Sequence, residues 1–495
     1  MANEWVEAAA PLQPQSIQLA PLEQYSPRLF ISAVLCFHIP PSSPFFAEDI
    51  YSRLRVGLSR TLVQVPVLAG RIYNSAEADG KATIRIHSNA RVEFSFRHYT
   101  SGDLLAPYSF ARLKVQQFPI FSPTCLTIDL LPVSPVVADD SPVFVARASF
   151  IDGGLLLAFG VSHAIADGTS VGIIQKIWAH HTRNAKTAMP SVLSPLPFDK
   201  DRARLFHGNN HGTLSAMSPW RICDRSWNAP LSLKTLETAA ATQLPQDASW
   251  SIGPHRSKAI WCFSPEKLQE LKQCASTQDP SQWISTYDAV AALIWQRAAI
   301  ARRLGSRGYL TARCCIPVDV RQLLHPPLHS EFVGNAVDTM FAEHPTSELK
   351  RPSLDLLPAL AQKIHNARRN WRLSDWQSLV GIVGSLPAHQ TLSMDFLPGD
   401  DPSIVVIDAS KLPSYQLDWG EGLGLIHHFR ALDLDSDGSI SPVSIACILP
   451  KRPDGGLEVM TIFSDEVVQT LKADSNFTSF AAYRCGKSPR PMALL

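Results

Sequence analysis

Residues 142–183, PVFVARASFIDGGLLLAFGVSHAIADGTSVGIIQKIWAHHTR, constrain the fold more than any other stretch of the chain. Two apolar runs flank Asp152-Gly153-Gly154, the composition of a tight hairpin turn, and so read as paired strands. The second run ends at His163, and a helical period starts at Thr169, with Val171, Ile174, Ile177 and Trp178 on one face through 183. A buried strand pair feeding directly into a helix demands a layered fold and leaves His163 projecting from the edge between the two elements. Asp167 and Gly168 have a plain structural reading as a capped helix start. Asp167, four positions after His163, also has two chemical readings. It either orients His163 or locks the loop by pairing with an arginine elsewhere.

The same patterns recur along the chain. DIYSRLRVGLSRTLVQV, 49–65, places Tyr51, Leu54, Leu58 and Leu62 at helical spacing, and ATIRIHSNARVEFSFRHY, 82–99, alternates like a pair of strands. STYDAVAALIWQRAAIARRL, 285–304, reads as an amphipathic helix with start signals at Ser285, Thr286 and Asp288. SPVSIACILP and GLEVMTIFS flank the turn Pro453-Asp454-Gly455-Gly456 as closing strands. Without regular strand–helix alternation, an α/β fold of α+β-like layers is expected rather than a doubly wound nucleotide fold. A chain of 495 residues exceeds one ordinary core. The Pro-, Ser-, Gly- and Asn-rich stretch 187–230 has no sustained period and reads as a surface connector. The expected division is therefore 1–186, a connector over 187–230, and 231–495.

Composition removes several classes. A net charge of +1 without a basic block argues against nucleic acid as a partner. Hydrophobic residues at 45% argue against general disorder. Nine scattered cysteines, with only Cys314 and Cys315 adjacent, fit reduced thiols in a cytoplasmic setting. The first residues, MANEWVEAAAPLQPQS, show no signal-peptide pattern, and no stretch reaches the length of a membrane span.

A histidine on a strand end suits acyl transfer. A neutral imidazole can take the proton of an acceptor hydroxyl as that oxygen attacks a thioester, and the thiol leaves without further help. HxxxDG alone is a weak signal, but it has companions. Pro21-Leu22-Glu23-Gln24, LSRTLVQVPVLAGRI (58–72), HAIADG, STYDAVAALIW (285–295), PVDVRQLLHPPLHSEFVGNAV (317–337), DWGEG (418–422) and ILPKRPDGGLEV (448–459) follow one another in an order that closely resembles the BAHD acyl-CoA-dependent acyltransferases. The likeness covers nearly the whole chain.

That resemblance implies two similar chloramphenicol-acetyltransferase-like domains, each a mixed β-sheet flanked by helices, with the active-site channel between them. It makes His163 the general base and Asp167 a structural latch paired with Arg321 of the DVR segment. Gly168, Asn335, Asp418, Gly420 and Gly422 are its supporting residues. It implies acyl-CoA, with acetyl-CoA expected, as co-substrate, a small-molecule alcohol as acceptor, no bound cofactor or metal, and a monomer. Two departures stand out. DFGWG has become Asp418-Trp419-Gly420-Glu421-Gly422, and IDASKLPSYQL lacks the Thr-Ser-Trp held to support the oxyanion in many plant members, since Ile407 and Ala409 cannot donate from their side chains. Ser410, Asn335 or a backbone N–H become the oxyanion candidates. Both departures make the chain more similar to fungal members such as the trichothecene acetyltransferases.

Other motifs are weaker. Asp433, Asp435, Asp437 and Gly438 imitate a calcium loop, but the twelfth position is Ser444 and Pro442 intrudes, so a solvated turn is expected. GEGLG, 420–424, does not open a helix after a strand and is no dinucleotide site. His180-His181 and His427-His428 read as ordinary polar positions, because neighbours in a regular element face opposite ways. Cys314-Cys315 reads as strand filler. The expected function is O-acylation, with O-acetylation foremost, of a hydroxyl on a specialised metabolite. N-acylation, carrier-protein delivery of the acyl group and an inactive binding protein on the same fold are the alternatives. Carrier-dependent condensation domains show HHxxxDG, and Ser162 stands where their first histidine would be.

Overall fold

The computed structural model describes residues 5–26, 28–74, 81–99, 109–121, 130–131, 140–188, 193–196, 198–209, 220–224, 256–349, 353–387, 390–394, 403–432 and 444–486. Two mixed sheets dominate them. The first runs, edge to edge, Trp5–Glu7, Arg91–His98, Phe144–Ile151, Gly154–Ser162, Phe30–His38 and His428–Ala431. Only the pair Arg91–His98 with Phe144–Ile151 is parallel. The second runs Val337–Pro345, Thr311–Asp319, Ser403–Asp408, Ser444–Ile448, Leu457–Ser464, Arg256–Phe263 and Ala482–Gly486, with Ser403–Asp408 parallel to both neighbours. Each sheet has its own apolar core, which gives the α/β two-domain architecture the sequence led us to expect.

The hairpin forms as read. Phe144–Ile151 and Gly154–Ser162 pair antiparallel around Gly153, whose φ of +75° suits a residue without a side chain. Every residue of both strands is buried, because helices cover one face and neighbouring elements the other. That is why the runs are continuously apolar rather than alternating. Ala47–Gln64 and Gly168–Arg183 form helices with the expected buried faces and pack closely on each other. A Cβ on Gly57 would come within 2.1 Å of Thr182 Oγ1, and the Trp178 indole donates to the Leu54 carbonyl at 2.9 Å.

Three local expectations are corrected. Ala82–Ile86 and Arg91–His98 are strands but do not pair with each other. A strand has two edges, and those of Arg91–His98 are taken by Trp5–Glu7 and Phe144–Ile151. Ala82–Ile86 joins a smaller sheet with Gln15–Gln18 and Arg71–Asn74. The helix Thr286–Ala301 is not amphipathic: it is buried on all sides except at Thr286 and Ile300, with Asp288, Gln296 and Arg297 buried among its apolar residues. Within 187–230, Phe198–Ala203 is helical, and Trp220–Asp224 pairs with Gln390–Met394. Arg202 is only 4% exposed, so this stretch is more than a solvated connector. The calcium-like residues Asp433, Asp435, Asp437 and Gly438 lie outside the described residues.

The helix Gly168–Arg183 belongs to the first core but touches the other half along its length. Ser170 Oγ donates to the Gly334 carbonyl at 2.7 Å, Lys176 pairs with Glu331 at 2.8 Å, and Ser414 Oγ donates to Gln175 Oε1 at 2.8 Å. The motif at its N-terminus therefore sits where the two halves meet.

Candidate active site

The interior strand Gly154–Ser162 carries His163 to its C-terminal end, and the His163 N–H extends the pairing by donating to the Leu29 carbonyl at 2.8 Å. The His163 carbonyl accepts from Asn335 Nδ2 at 3.0 Å. The peptide groups on both sides of this residue are therefore held. Nδ1 of the ring lies 2.9 Å from the Ala166 carbonyl oxygen. A carbonyl only accepts, so Nδ1 carries the proton and Nε2 keeps its lone pair. Burial lowers the His163 pKa below the usual histidine value, while backbone hydrogen bonds and the Asp167 charge pull the other way. The side chain is half-buried, and at neutral pH it is an uncharged base.

Asp167 combines two of its sequence readings. It caps the helix through Oδ1, which accepts the Ser170 N–H at 2.9 Å. It also pairs bidentately with Arg321, Nη1 to Oδ2 at 2.8 Å and Nη2 to Oδ1 at 2.9 Å. The Ala336 N–H reaches Oδ2 at 2.9 Å. Burial would raise the carboxyl pKa, but the Arg321 charge and these hydrogen bonds hold it below the ordinary value. Arg321 also donates to the Gly334 carbonyl at 2.7 Å and to Ser170 Oγ at 3.0 Å. Asp319 of the same DVR segment accepts from Arg321 at 3.1 Å and from Thr169 Oγ1 at 2.8 Å. Gly168 has no positive φ, and a Cβ there would meet nothing within 4 Å, so its backbone does not require glycine and the position opens on space.

Both side-chain oxyanion candidates have protein partners. Both Asn335 Nδ2 hydrogens are taken, by Ser26 Oγ at 2.7 Å and by the His163 carbonyl. The Ser410 hydroxyl donates to Asp408 at 2.5 Å. Neither side chain has a donor to spare in this arrangement. Asp418 lies at the far end of the helix Gly168–Arg183, roughly 20 Å along its axis from the histidine at 1.5 Å per residue. It accepts the Gly420 N–H at 2.9 Å and faces Arg183 at 3.4 Å. Gly420 and Gly422 have φ of +87° and +86°, and the displaced aromatic, Trp419, is buried edge-on against Phe37 and Trp178. Glu421 pairs at the surface with Arg53 and Lys186.

Sequence reasoning missed part of the surroundings. Glu23 was legible only as part of a motif, yet it is fully buried and paired with Arg202 from the middle of the chain. His181 and His428 are buried rather than ordinary polar positions, whereas His180 and His427 are exposed. Cys314 and Cys315 are buried strand residues, and burial raises the Cys314 thiol pKa well above its usual value.

His163 at a strand end, an interlocked Asp167–Arg321 pair and two mixed sheets are the features set against known proteins. The description "Transferase family" matches residues 1–478. Acyltransferase clz6 of Cochliobolus lunatus is 30% identical, covering 88% of this chain and 89% of its own, and Acyltransferase M4 of a Phoma species is 30% identical with the same coverage. The structure of F. graminearum TRI101 complexed with coenzyme A and deoxynivalenol is 21% identical, covers 95% of this chain and 100% of its own, and superposes with a TM-score of 0.73. The chain belongs to the BAHD acyl-CoA-dependent acyltransferase family, and it is an enzyme that transfers acyl groups other than aminoacyl groups.

Proposed function

We propose that the protein is an acyl-CoA-dependent O-acyltransferase that places an acyl group, foremost acetyl, on a hydroxyl of a specialised metabolite, with His163 as general base. The observation that carries this reading is the His163 ring: Nδ1 is committed to the Ala166 carbonyl, and Nε2 is left basic at a half-buried position. Nε2 takes the proton of the acceptor hydroxyl as its oxygen attacks the thioester carbonyl carbon. The tetrahedral intermediate collapses with cleavage of the C–S bond, and the imidazolium returns the proton to the departing coenzyme A thiolate. Asp167 acts as the latch, since its oxygens are occupied by Arg321 and two backbone N–H groups. The oxyanion donor is then a backbone N–H rather than Asn335 or Ser410.

Acetyl transfer to oxygen is supported by an O-acetyltransferase of Cryptosporiopsis, dmxR13, 27% identical over 92% of this chain, and by an eremophilane O-acetyltransferase of Penicillium roqueforti. A cytoplasmic monomer completes the proposal, and the thiols of Cys36, Cys262 and Cys447 fit a reducing compartment. The test is incubation of purified protein with acetyl-CoA and a panel of hydroxylated terpenoids and polyketides, followed by thiol release and product mass. His163→Ala should retain the native circular-dichroism spectrum and lose activity by about 10²- to 10⁴-fold, the usual contribution of a general base. Wild-type thiol release that is unaltered in His163→Ala would remove the base assignment.

A further inference from the structure

Glu23 lies on a short turn near the start of the chain and is completely buried, a rare state for a carboxylate. Its oxygens collect four donors from three separate segments. Oε1 accepts Arg202 Nη1 at 2.9 Å and the Asn335 N–H at 3.2 Å. Oε2 accepts the Ala20 N–H at 2.8 Å and Arg202 Nη2. Arg202 Nη2 also donates to the Gln18 carbonyl at 2.9 Å, which fixes the guanidinium against the same turn. Ser26, on that turn, accepts from the Asn335 side chain at 2.7 Å. Asn335 is therefore gripped at its backbone by Glu23 and at its side chain by Ser26, and its remaining amide hydrogen holds the His163 carbonyl at 3.0 Å. The opposite peptide group of His163 is held by Leu29, a few residues beyond the turn.

We propose that Glu23 is a positioning residue for the catalytic histidine, acting through Asn335 and itself aimed by Arg202. This rests on the reading of His163 as the base. A buried ion pair is a poor source of net stability, since desolvation offsets most of the attraction and apolar residues can replace it. What the carboxylate supplies is direction. Its two oxygens accept all four donors at once, which fixes the Asn335 backbone relative to the turn that precedes Leu29. Loss of one acceptor frees Asn335, and with it the carbonyl grip that keeps His163 in its half-buried pose. The ring then becomes more hydrated and its pKa rises towards the ordinary value, because burial is what lowers it.

The test compares Glu23→Gln, Asn335→Ala and the double variant. His163 titration is followed by histidine-ring NMR, assigned by the signal that disappears in His163→Ala. Turnover is measured with acetyl-CoA and the best acceptor of the panel. Glu23→Gln should raise the His163 pKa, lower kcat about tenfold, and leave KM for acetyl-CoA within about twofold, as expected when a reacting group is misplaced while substrate binding is intact. The double variant should be no worse than the weaker single one, the mark of residues acting in series. If Glu23→Gln does not fold, Glu23→Asp keeps the charge and the Arg202 pairing on a side chain one methylene shorter, and should show the same signature. A folded variant with wild-type His163 pKa and kcat would overturn the proposal, as would multiplicative effects in the double variant. The NMR arm decides the coupling even where His163→Ala retains activity, so failure of the base assignment and failure of this proposal give different results.

Discussion

Asp167 accepts four hydrogen bonds on two buried oxygens, and none comes from His163. Asp167→Asn keeps the shape but removes the charge and turns an N–H₂ towards a donor. Breaking a buried pair in this way costs about 3–5 kcal/mol, which urea denaturation at pH 7 should show together with reduced turnover. A variant of wild-type stability that is nevertheless inactive would count against the latch. Because the folded pKa of Asp167 is depressed, its contribution is present above the unfolded value near ~3.9 and is lost as pH falls through the folded value. His163 adds an acid sensitivity of activity rather than of stability. Its depressed pKa predicts that the acid limb of kcat/KM lies below ~6.5, measurable with any acceptor that supports turnover. A limb at or above that value would mean that the ring is not buried in the working enzyme. Legibility differed at this scale. HxxxDG and DVR could be matched as motifs, whereas Glu23 and Arg202 could not be paired, since no period or spacing links positions so far apart.

At the scale of elements, two glycines of the matched motifs behave differently. Gly420 has φ of +87°, and a Cβ there would lie 2.6 Å from the Arg183 Cα, so backbone strain and a close approach both exclude a side chain. Gly420→Ala should lower stability by about 1–3 kcal/mol from the backbone alone, with a further cost for displacing the helix end. Gly168 has ordinary backbone and open space, and Gly168→Ala should raise stability by about 0.4–1 kcal/mol through the unfolded chain. Opposite shifts in thermal midpoint are the expected result, and shifts of one sign would refute this account of the two turns. The motif letters alone did not separate these glycines. The helix Thr286–Ala301 teaches the same lesson: its capping box, Ser285 with Asp288, was visible as start signals, but burial on nearly all sides depends on what packs around it.

For the whole molecule, the connection between the halves is made in the interior as well as at the site. The strand His428–Ala431 lies far along the chain, yet it completes the first sheet beside Phe30–His38. From it Arg430, with no exposed surface, reaches Glu458 of the second sheet at 2.6 Å, and Glu458 also meets His428 at 3.2 Å and Arg484 at 2.9 Å. Glu458→Gln would leave buried positive charge uncompensated at this junction. Calorimetry should show a loss of about 3–5 kcal/mol and a single transition splitting towards two; an unchanged single transition would mean that the junction does not couple the sheets. Burial pushes the His428 pKa down to about 4 and that of His181 to about 4, so both stay neutral in the folded state while the unfolded chain protonates near ~6.5. Stability should accordingly fall as pH drops from about 6.5 towards 4, before most carboxylates titrate.

Hairpin composition, helical period and capping residues act over a few positions, so the local elements and the order of the motifs were readable from the chain alone. The strand, His163 and the following helix could be identified without a partner in view, and motif order carried the family. Packing was needed to settle which strand edges meet, that Arg202 reaches Glu23, and that Asn335 spends both amide hydrogens on Ser26 and His163. Those outcomes depend on competition among distant groups for a limited number of edges, donors and acceptors, and that competition is resolved only when the whole chain is folded.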